Sequence, residues 1–238
     1  MLIPLALAVG SLLGVLIRRL PAGRPVVIAR SCCEHCGEVL QPRDMVPLIS
    51  FVALRGRGRC CGGAIGWFHP AIELAALLIA CVALLAGGPA WHVWVTAGLG
   101  WALLCLAWTD AAAMILPDAI TLPLLLAGLV ATWCTQPQAV PDHALAAALG
   151  YGGFRLLDLL YRRWRGRPGL GQGDAKLLAA AGSWLGLAAL PDVILLAGVI
   201  GLGQAAALIL ARRRTAAEAL PFGPALALAF FLWRLVQS

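Results

Sequence analysis

Long apolar segments recur from one end of this chain to the other, and no other feature limits its fold so strongly. About eight of them have roughly 17–21 residues, the length that an α-helix needs to cross a hydrocarbon core about 30 Å thick. They lie near residues 1–17, 70–87, 91–109, 118–134, 142–161, 174–190, 191–211 and 219–237. Only 12% of the 238 residues are charged and the mean hydropathy is +0.89, whereas about 25% of residues are charged in soluble domains. The sequence therefore predicts an all-α, polytopic membrane helix bundle with about eight transmembrane helices.

The first apolar segment has the length of a signal peptide, but its charges favour a retained helix. A signal peptide begins with basic residues, whereas Arg18 and Arg19 follow this segment. Flanking arginines are typical of a helix whose C-terminal end faces the cytoplasm.

The net charge of +7 is explained by membrane topology and does not require nucleic acid as a partner. Lys and Arg are absent from the connections near 87–90 and 135–141. Arginines collect instead in the connections at 18–69, 162–167 and 212–214. Positive residues stay on the cytoplasmic side, so these loops and residues 110–117 are predicted to be cytoplasmic, with both termini outside. The expected non-protein partner is the lipid bilayer.

One connection, 18–69, is long enough to form a small domain. It is polar, basic and rich in Gly, Pro and Cys, which predicts an irregular cytoplasmic lobe. The predicted organisation is a first transmembrane helix at 1–17, the lobe at 18–69, and a seven-helix transmembrane domain at 70–238.

The lobe contains two pairs of cysteines. Cys33 and Cys36 form a Cys-x-x-Cys pair, and Cys60 and Cys61 are adjacent. Four thiolates are the usual tetrahedral ligand set for Zn²⁺ in a reducing compartment. Neighbouring cysteines, however, rarely point at one metal without strain. The sequence leaves a zinc site and free structural thiols as alternatives.

Three acidic residues have local explanations. Asp142 and Asp192 stand at helix starts, where an N-cap role is expected. Asp158 has Arg155 and Arg162 three and four residues away, which predicts an ion pair on one helix face.

Three other aspartates stand at the predicted cytoplasmic ends of membrane helices. Asp118 follows Pro117 and is predicted to be an N-cap. Asp110 ends the third span and Asp174 begins the sixth, and a carboxylate at a membrane edge needs a partner or a function. Two facing aspartates form a dyad in which the ionised group activates water and the protonated group polarises a carbonyl. This spacing alone is a weak indication.

The residues around these positions resemble the type IV prepilin peptidases, membrane aspartyl proteases of the GxGD group. The resemblance runs nearly end to end, in a fixed order of motifs. It is carried by GSLLGVLIRRLP (10–21), SCCEHCGEVL (31–40), VPLISFVALRGR (46–57), CGGAIGWFHPAIE (61–73), DAAAMILPDAITLP (110–123), GLGQGDAKLLAAAGSWLG (169–186) and LPFGPALALA (220–229).

The resemblance implies a function and a set of site residues. Asp110 and Asp174 would be the catalytic pair of an endopeptidase that needs no cofactor for proteolysis. Its substrates would be prepilins and type II secretion pseudopilins, cut after the Gly that ends a short basic leader. Full-length members also methylate the new N-terminus with S-adenosylmethionine, using the lobe. The implied location is the bacterial cytoplasmic (inner) membrane, with the active site at the cytoplasmic face.

Further residues are expected to support the site. Asp118 matches an aspartate that supports the pair, and Lys176 is expected to support the site or balance the leader's charge. Gly171 and Gly173, with Gly169, would let the backbone pass close to an extended peptide. Glu73 matches a family acid, but a carboxylate favoured by the helix dipole explains it equally well.

The lobe departs from the family pattern at three positions. Gly58 stands where the family has the first cysteine of its second pair, so either Cys60 replaces it as a ligand or the lobe binds no metal. Gly14 replaces an Asn, and His69 replaces the Tyr before Pro70.

Two other classes of function compete with the peptidase. A transporter would use intramembrane aspartates as a proton or cation relay, but such acids lie near the midplane and often within inverted repeats. A pilin-binding assembly factor would have no need of two carboxylates. An assay for cleavage separates all three.

Overall fold

The computed structural model describes residues 1–26, 31–33, 35–41, 44, 46–166, 169, 171–211 and 220–237. These residues form mainly helices, joined by short turns. The helices are α1 (Leu2–Arg19), α2 (Ile49–Ala53), α3 (Phe68–Ala86), α4 (Ala90–Ala113), α5 (Asp118–Thr135), α6 (Val140–Arg165), α7 (Gln172–Leu185), α8 (Leu190–Leu210) and α9 (Gly223–Val236). Within these ranges the extended pairing is limited to the isolated bridges Cys32–Val39 and Arg57–Ala64. The predicted all-α class is confirmed.

Every predicted membrane segment corresponds to one long helix, with boundaries that differ by a few residues. Within the described ranges, five stretches are long and apolar enough to cross a membrane: α1, α3, α4, α5 and residues 187–210. Helix α6 is long enough but more polar, and α7 and α9 have only 14 residues each. The protein is therefore a multi-pass membrane protein, and the count of eight spans stays a prediction. Arg212, Arg213 and Arg214, of the third basic connection, lie outside the described residues, as does Arg167.

Helix α8 illustrates how the apolar surface is used. Leu195, Val199 and Leu202 are 61–74% exposed, although this helix is the most apolar of the candidate spans. Such a surface is unfavourable in water but matches lipid chains. The bilayer therefore accounts for side chains that the fold itself leaves uncovered.

Residues Met1–Cys105 form one compact unit. Helix α1 packs along α3, and a Cβ on Gly10 would lie only 2.7 Å from the Cα of Glu73. The indole Nε1–H of Trp101, on α4, donates to the carbonyl of Ala76 at 3.0 Å. The segment between α1 and α3 contains α2 and the two isolated bridges, which agrees with the irregular structure predicted for it.

Residues Leu106–Ser238 form a second unit in which α7 is the most enclosed helix. Ten of its 14 residues are buried, and it packs against α5, α6 and α9. The indole Nε1–H of Trp184 donates to the carbonyl of Leu124 on α5 at 2.8 Å. This division at residue 105 follows compactness, whereas the predicted boundaries at 17 and 69 follow the membrane and stay predictions.

Of the three local explanations given for acidic residues, one is confirmed and two are wrong. The predicted ion pair of Asp158 is confirmed, with Arg162 Nη2 at 2.8 Å and Arg155 Nη1 at 3.6 Å. The predicted N-cap roles of Asp142 and Asp192 are wrong, because both lie inside the first turns of α6 and α8. Asp142 accepts a hydrogen bond from the Leu187 N–H at 3.0 Å instead, so it joins two helix ends.

Close contact between α6 and α7 depends on Gly182. A Cβ there would lie 2.6 Å from the carbonyl carbon of Ala146, and backbone cannot give way as a flexible side chain does. We expect Gly182→Ala to destabilise the protein by about 1–3 kcal/mol through overpacking, measured as a lower thermal midpoint in detergent. Gly198→Ala is the control, because open space surrounds that position in the described structure. Equal midpoints for both variants would contradict the packing assigned to Gly182.

Candidate active site

Asp110 lies in the last turn of α4 and is 6% exposed. Its Oδ2 accepts a hydrogen bond from the backbone N–H of Gly223 at 2.9 Å. Gly223 is the first residue of α9, where backbone N–H groups have no partner within their helix and the dipole is positive. The start of α9 therefore compensates the burial of this carboxylate.

A side chain at position 223 would occupy the place of the carboxylate. A Cβ on Gly223 would lie 2.6 Å from Asp110 Oδ2 and 2.8 Å from its Cγ. Sequence reasoning missed this residue as part of the site, although its motif LPFGPALALA was recognised.

Asp174 is the third residue of α7 and is 8% exposed. The backbone N–H of Gly171, the N-cap residue, donates a hydrogen bond to its carboxylate. This is the return bond of a capping box, in which the third residue of a helix satisfies the N-cap N–H. Its Oδ1 is buried and has no hydrogen-bond partner among the described residues. An oxygen left in this way is costly unless water or a ligand meets it.

Asp110 and Asp174, both in the second unit, are close enough for their charges to repel each other. Neither has an ion-pair partner in the described part of the chain. The structure therefore places the two predicted aspartates within electrostatic range of each other, each with a backbone N–H beside its carboxylate.

Asp118 and Lys176 form an ion pair, with Nζ and Oδ1 2.5 Å apart. Asp118 is the first residue of α5 and Pro117 is its N-cap, so the predicted N-cap role of Asp118 is wrong. The pair joins the starts of α5 and α7, and its side chains are 28% (Lys176) and 56% (Asp118) exposed. Lys176 thus lies two residues from Asp174 but pairs with a different acid.

The three glycines before Asp174 pack against atoms of their own chain. A Cβ on Gly173 would lie 2.7 Å from the Cβ of Leu116, and one on Gly171 would lie 2.8 Å from Asp174 Oδ2. A Cβ on Gly169 would lie 2.5 Å from the ring of Tyr161. Internal packing is sufficient to explain these glycines, and close passage of a substrate stays a prediction.

Glu73, in the first unit, is 7% exposed and holds the turn before α2. Its Oε2 accepts a hydrogen bond from the Leu48 N–H at 2.8 Å. Leu48 is the N-cap of α2 and has φ = 55°, a conformation that is rare for a bulky residue. Glu73 is the sixth residue of α3, beyond its first turn. The helix-dipole explanation of Glu73 is therefore wrong.

The four predicted cysteines form one cluster. The sulfur atoms of Cys33, Cys36, Cys60 and Cys61 all lie within 4.8 Å of one another. The Sγ atoms of Cys33 and Cys61 are 3.7 Å apart, and those of Cys36 and Cys60 are 3.4 Å apart. Zn–S bonds of about 2.3 Å place tetrahedral sulfurs about 3.8 Å apart. The adjacent cysteines therefore do point at one centre, and the cluster fits a zinc ion.

Charge in the cluster is unequally distributed. Hydrogen bonds from the backbone of Cys36 and then of His35 lower the pKa of Cys33 to about 6. The hydrogen bond with Cys36 raises the pKa of Cys60 to about 12. Thiols this close cannot all lose their protons unless a cation compensates the charge.

The first unit also has a cavity of about 540 Å³. It is lined by charged side chains of both signs, among them Arg18, Glu73 and Asp44, and by the ring of Phe51. This volume lies in the range of small-molecule sites, about 300–1,000 Å³.

Comparison with known proteins gives two consecutive family matches. The bacterial Peptidase A24 N-terminal domain matches residues 5–86, and the type IV leader peptidase family matches residues 97–206. The gap between the two matches includes none of the site residues described above. No solved structure matches the chain.

Several curated relatives are named prepilin leader peptidase/N-methyltransferase. The protein from Dickeya chrysanthemi is 38% identical over 255 residues, with 95% of this chain and 88% of the relative covered. That from Burkholderia pseudomallei (strain K96243) is 41% identical, with coverages of 87% and 67%. That from Pseudomonas aeruginosa is 35% identical, with coverages of 94% and 86%. On these matches, the chain belongs to the type IV leader peptidase family.

Proposed function

We propose that this protein is a membrane aspartyl endopeptidase of prepilins and type II secretion pseudopilins. It removes the short basic leader and then methylates the new N-terminus with S-adenosylmethionine. The observation that carries the proposal is the buried pair Asp110 and Asp174, brought together at the ends of two helices. The names of the relatives add the substrate class and the second activity.

In the proposed cleavage the pair shares one proton, because two neighbouring carboxylates in a low-dielectric site do not both ionise. The ionised group takes a proton from water, which attacks the carbonyl of the scissile bond, while the protonated group donates to the carbonyl oxygen. The group that took the proton from water then passes it to the leaving amine, and the group that donated to the carbonyl oxygen recovers its proton from the tetrahedral intermediate. Hydrogen bonds from Gly223 and Gly171 fix one oxygen of each aspartate. We assign Asp174 Oδ1, which lacks a partner in the described structure, to water or substrate.

The proposed location is the cytoplasmic face of the bacterial inner membrane, with both termini outside. Arginines at the C-terminal ends of α1 and α6 support this orientation. A basic leader in the cytoplasm would then lie on the same side as the aspartates.

The same positions argue against a transporter. Asp110 lies in the last turn of α4 and Asp174 in the first turn of α7. A proton or cation relay places its acids near the middle of the membrane. A non-catalytic pilin binder would leave the buried pair without a use, at a cost in stability.

We assign the methyl donor to the cavity of the first unit. S-adenosylmethionine supplies an electrophilic methyl group for an amine. Arg18, Arg19 and Arg24 would hold its carboxylate and Phe51 its adenine, and all four residues line the cavity. The second carboxylate oxygen of Glu73, for which the described residues show no hydrogen bond, would attract the substrate's amino group.

We assign a structural Zn²⁺ to Cys33, Cys36, Cys60 and Cys61. The support is the distance between sulfurs, which matches tetrahedral coordination. Such an ion would also stabilise one wall of the cavity. Cys33, a proposed ligand, lines the cavity, as does Gly58, which lies beside the cysteine cluster. It takes no part in proteolysis.

The first prediction concerns the aspartate pair. Asp110→Asn and Asp174→Asn should each reduce cleavage at least about 10³-fold, since an amide can neither activate water nor share a proton. The measurement uses liposomes containing the enzyme and a prepilin with a basic leader and a Gly at the cut, analysed by mass spectrometry. A further mass of 14 Da, one CH₂, on the product reports methylation.

Two matched variants complete that experiment. Asp192→Asn should cut normally, because this exposed acid lies in the first turn of α8. Asp118→Asn should retain measurable activity, and its complete loss would mean that Asp118 does more than pair with Lys176. Cleavage by both variants of the pair would exclude the dyad. If a folded wild type cut none of several prepilins, the transporter and the pilin-binding factor would again be the leading hypotheses.

The second prediction concerns Gly223. Its alanine variant should lower kcat about 10–100-fold, because the new Cβ displaces the Asp110 carboxylate and overpacking of this size costs about 1–3 kcal/mol. Gly203→Ala, in open surroundings on α8, is the control. A Gly223→Ala enzyme with the wild-type kcat would show that the contact with Asp110 is unimportant.

The third prediction concerns zinc. Metal analysis of the purified protein should give about one equivalent, lost in Cys33→Ser and in Cys60→Ser. A Cβ at Gly58 would lie 3.9 Å from Cys33 Sγ and 3.8 Å from Cys60 Sγ. Adding Gly58→Cys to Cys60→Ser should therefore restore zinc, and Cys134→Ser, outside the lobe, should not change it. A zinc-free wild type would rule out the assignment.

A further inference from the structure

Asp158 is a buried acid that the proposed mechanism does not use. It lies on α6, and its side chain is only 4% exposed. Its ion-pair partners Arg155 and Arg162 are 40% and 43% exposed. An ion pair between surface residues contributes little and does not require burial of either group. The pairing alone therefore does not explain why this carboxylate is buried.

The two carboxylate oxygens of Asp158 have different partners. Oδ2 contacts both arginines. Oδ1 accepts a hydrogen bond at 3.2 Å from the backbone N–H of Gly169, which follows the end of α6 and precedes the start of α7. The arginines thus neutralise the charge, while the other oxygen binds the connection between the helices.

Tyr161 contacts the same glycine. It lies three residues after Asp158, on the same face of α6. A Cβ on Gly169 would lie 2.5 Å from Tyr161 Cδ1 and 2.8 Å from its Cγ, so the ring covers the backbone where a side chain would project. Only glycine fits between the carboxylate and the ring.

Gly169 lies two residues before Gly171, the N-cap of α7. Gly171 adjoins the Asp174 carboxylate, since a Cβ there would lie 2.8 Å from Asp174 Oδ2, and its N–H donates to that carboxylate. We propose that Asp158 and Tyr161 are positioning residues: they clamp Gly169 and thereby fix Gly171 and the carboxylate of Asp174. Neither side chain touches the reacting atoms. The proposal rests on the proposed peptidase function, because it assigns these residues to the orientation of one of its aspartates.

The clamp is tested with a glycine variant and its rescue. Gly169→Ala should lower kcat about 10–100-fold with a much smaller change in KM, since a misplacement of about 1 Å is enough for such a loss. Tyr161→Ala alone removes one side of the clamp and should lower kcat about tenfold. In the double variant the same change also removes the ring that meets the new Cβ, so the double variant should match Tyr161→Ala and not show both losses multiplied. A purely structural role predicts that kcat falls only as the thermal midpoint falls. A Tyr161→Ala enzyme with the wild-type kcat, or losses that multiply in the double variant, would overturn the clamp.

The carboxylate is tested with an isosteric pair. Asp158→Asn keeps an oxygen for the Gly169 N–H and should retain most of the activity, whereas Asp158→Ala should lose about tenfold or more. Hydrogen exchange of the Gly169 amide should be slow in the wild type and in Asp158→Asn, and fast in Asp158→Ala. If Asp158→Asn were as damaging as Asp158→Ala in both readouts, the ion pairs rather than the clamp would matter.

The exchange measurement separates the two levels of the proposal. It reports the Asp158–Gly169 bond without any substrate, so it remains decisive if the wild type cuts no prepilin. A wild-type amide that exchanges as fast as in Asp158→Ala overturns the clamp even if cleavage is normal.

Discussion

The enclosure of α7 determines the chemistry of the second unit. This helix is buried on most of its surface between α5, α6 and α9, through contacts as close as Gly182 against Ala146. In its first turn Gln172 stays exposed, but Asp174 and Ala175 are consequently removed from solvent. Asp174 is in that turn, and the packing that buries it also brings it near Asp110. A carboxylate pair in a low-dielectric setting is therefore a product of helix packing.

The buried carboxylates of both units are stabilised in the same way, by hydrogen bonds from backbone N–H groups. Asp110 and Asp174 each accept a backbone N–H from a helix start, at Gly223 and Gly171. Glu73 does the same with Leu48, and Asp158 accepts one from Gly169 between two helices. Such N–H groups lack partners inside their own helices, so one bond satisfies a donor and a buried acceptor together. Asp110, Glu73 and Asp158 also tie their helices to another segment, whereas Asp174 closes the start of its own helix.

Features that depend on residue type and on the length of apolar segments were predicted from the sequence. Contacts between residues far apart in the chain were mostly not. Helix α5 begins at 118 as predicted, because apolar length marks a membrane helix directly. The local N-cap assignments of Asp118 and Asp142 failed, since both acids pair with groups more than 40 residues away. Backbone N–H donors leave no signature in residue type, so the partners of Asp110 and Asp174 were not predictable. The choice of the two aspartates followed from their specific motifs, and their catalytic role stays a proposal.

The departures of this chain from its family gather in one place. Gly14, Gly58 and His69 all line the cavity of the first unit. The changes at positions 14 and 69 are in direct contact, because a Cβ on Gly14 would lie 2.8 Å from His69 Nδ1. A side chain as large as Asn at position 14 would not fit beside this ring. The motifs of Asp110 and Asp174 show no comparable change. The three changes therefore reshape the cavity of the first unit, around a smaller residue at position 14 and an imidazole at position 69.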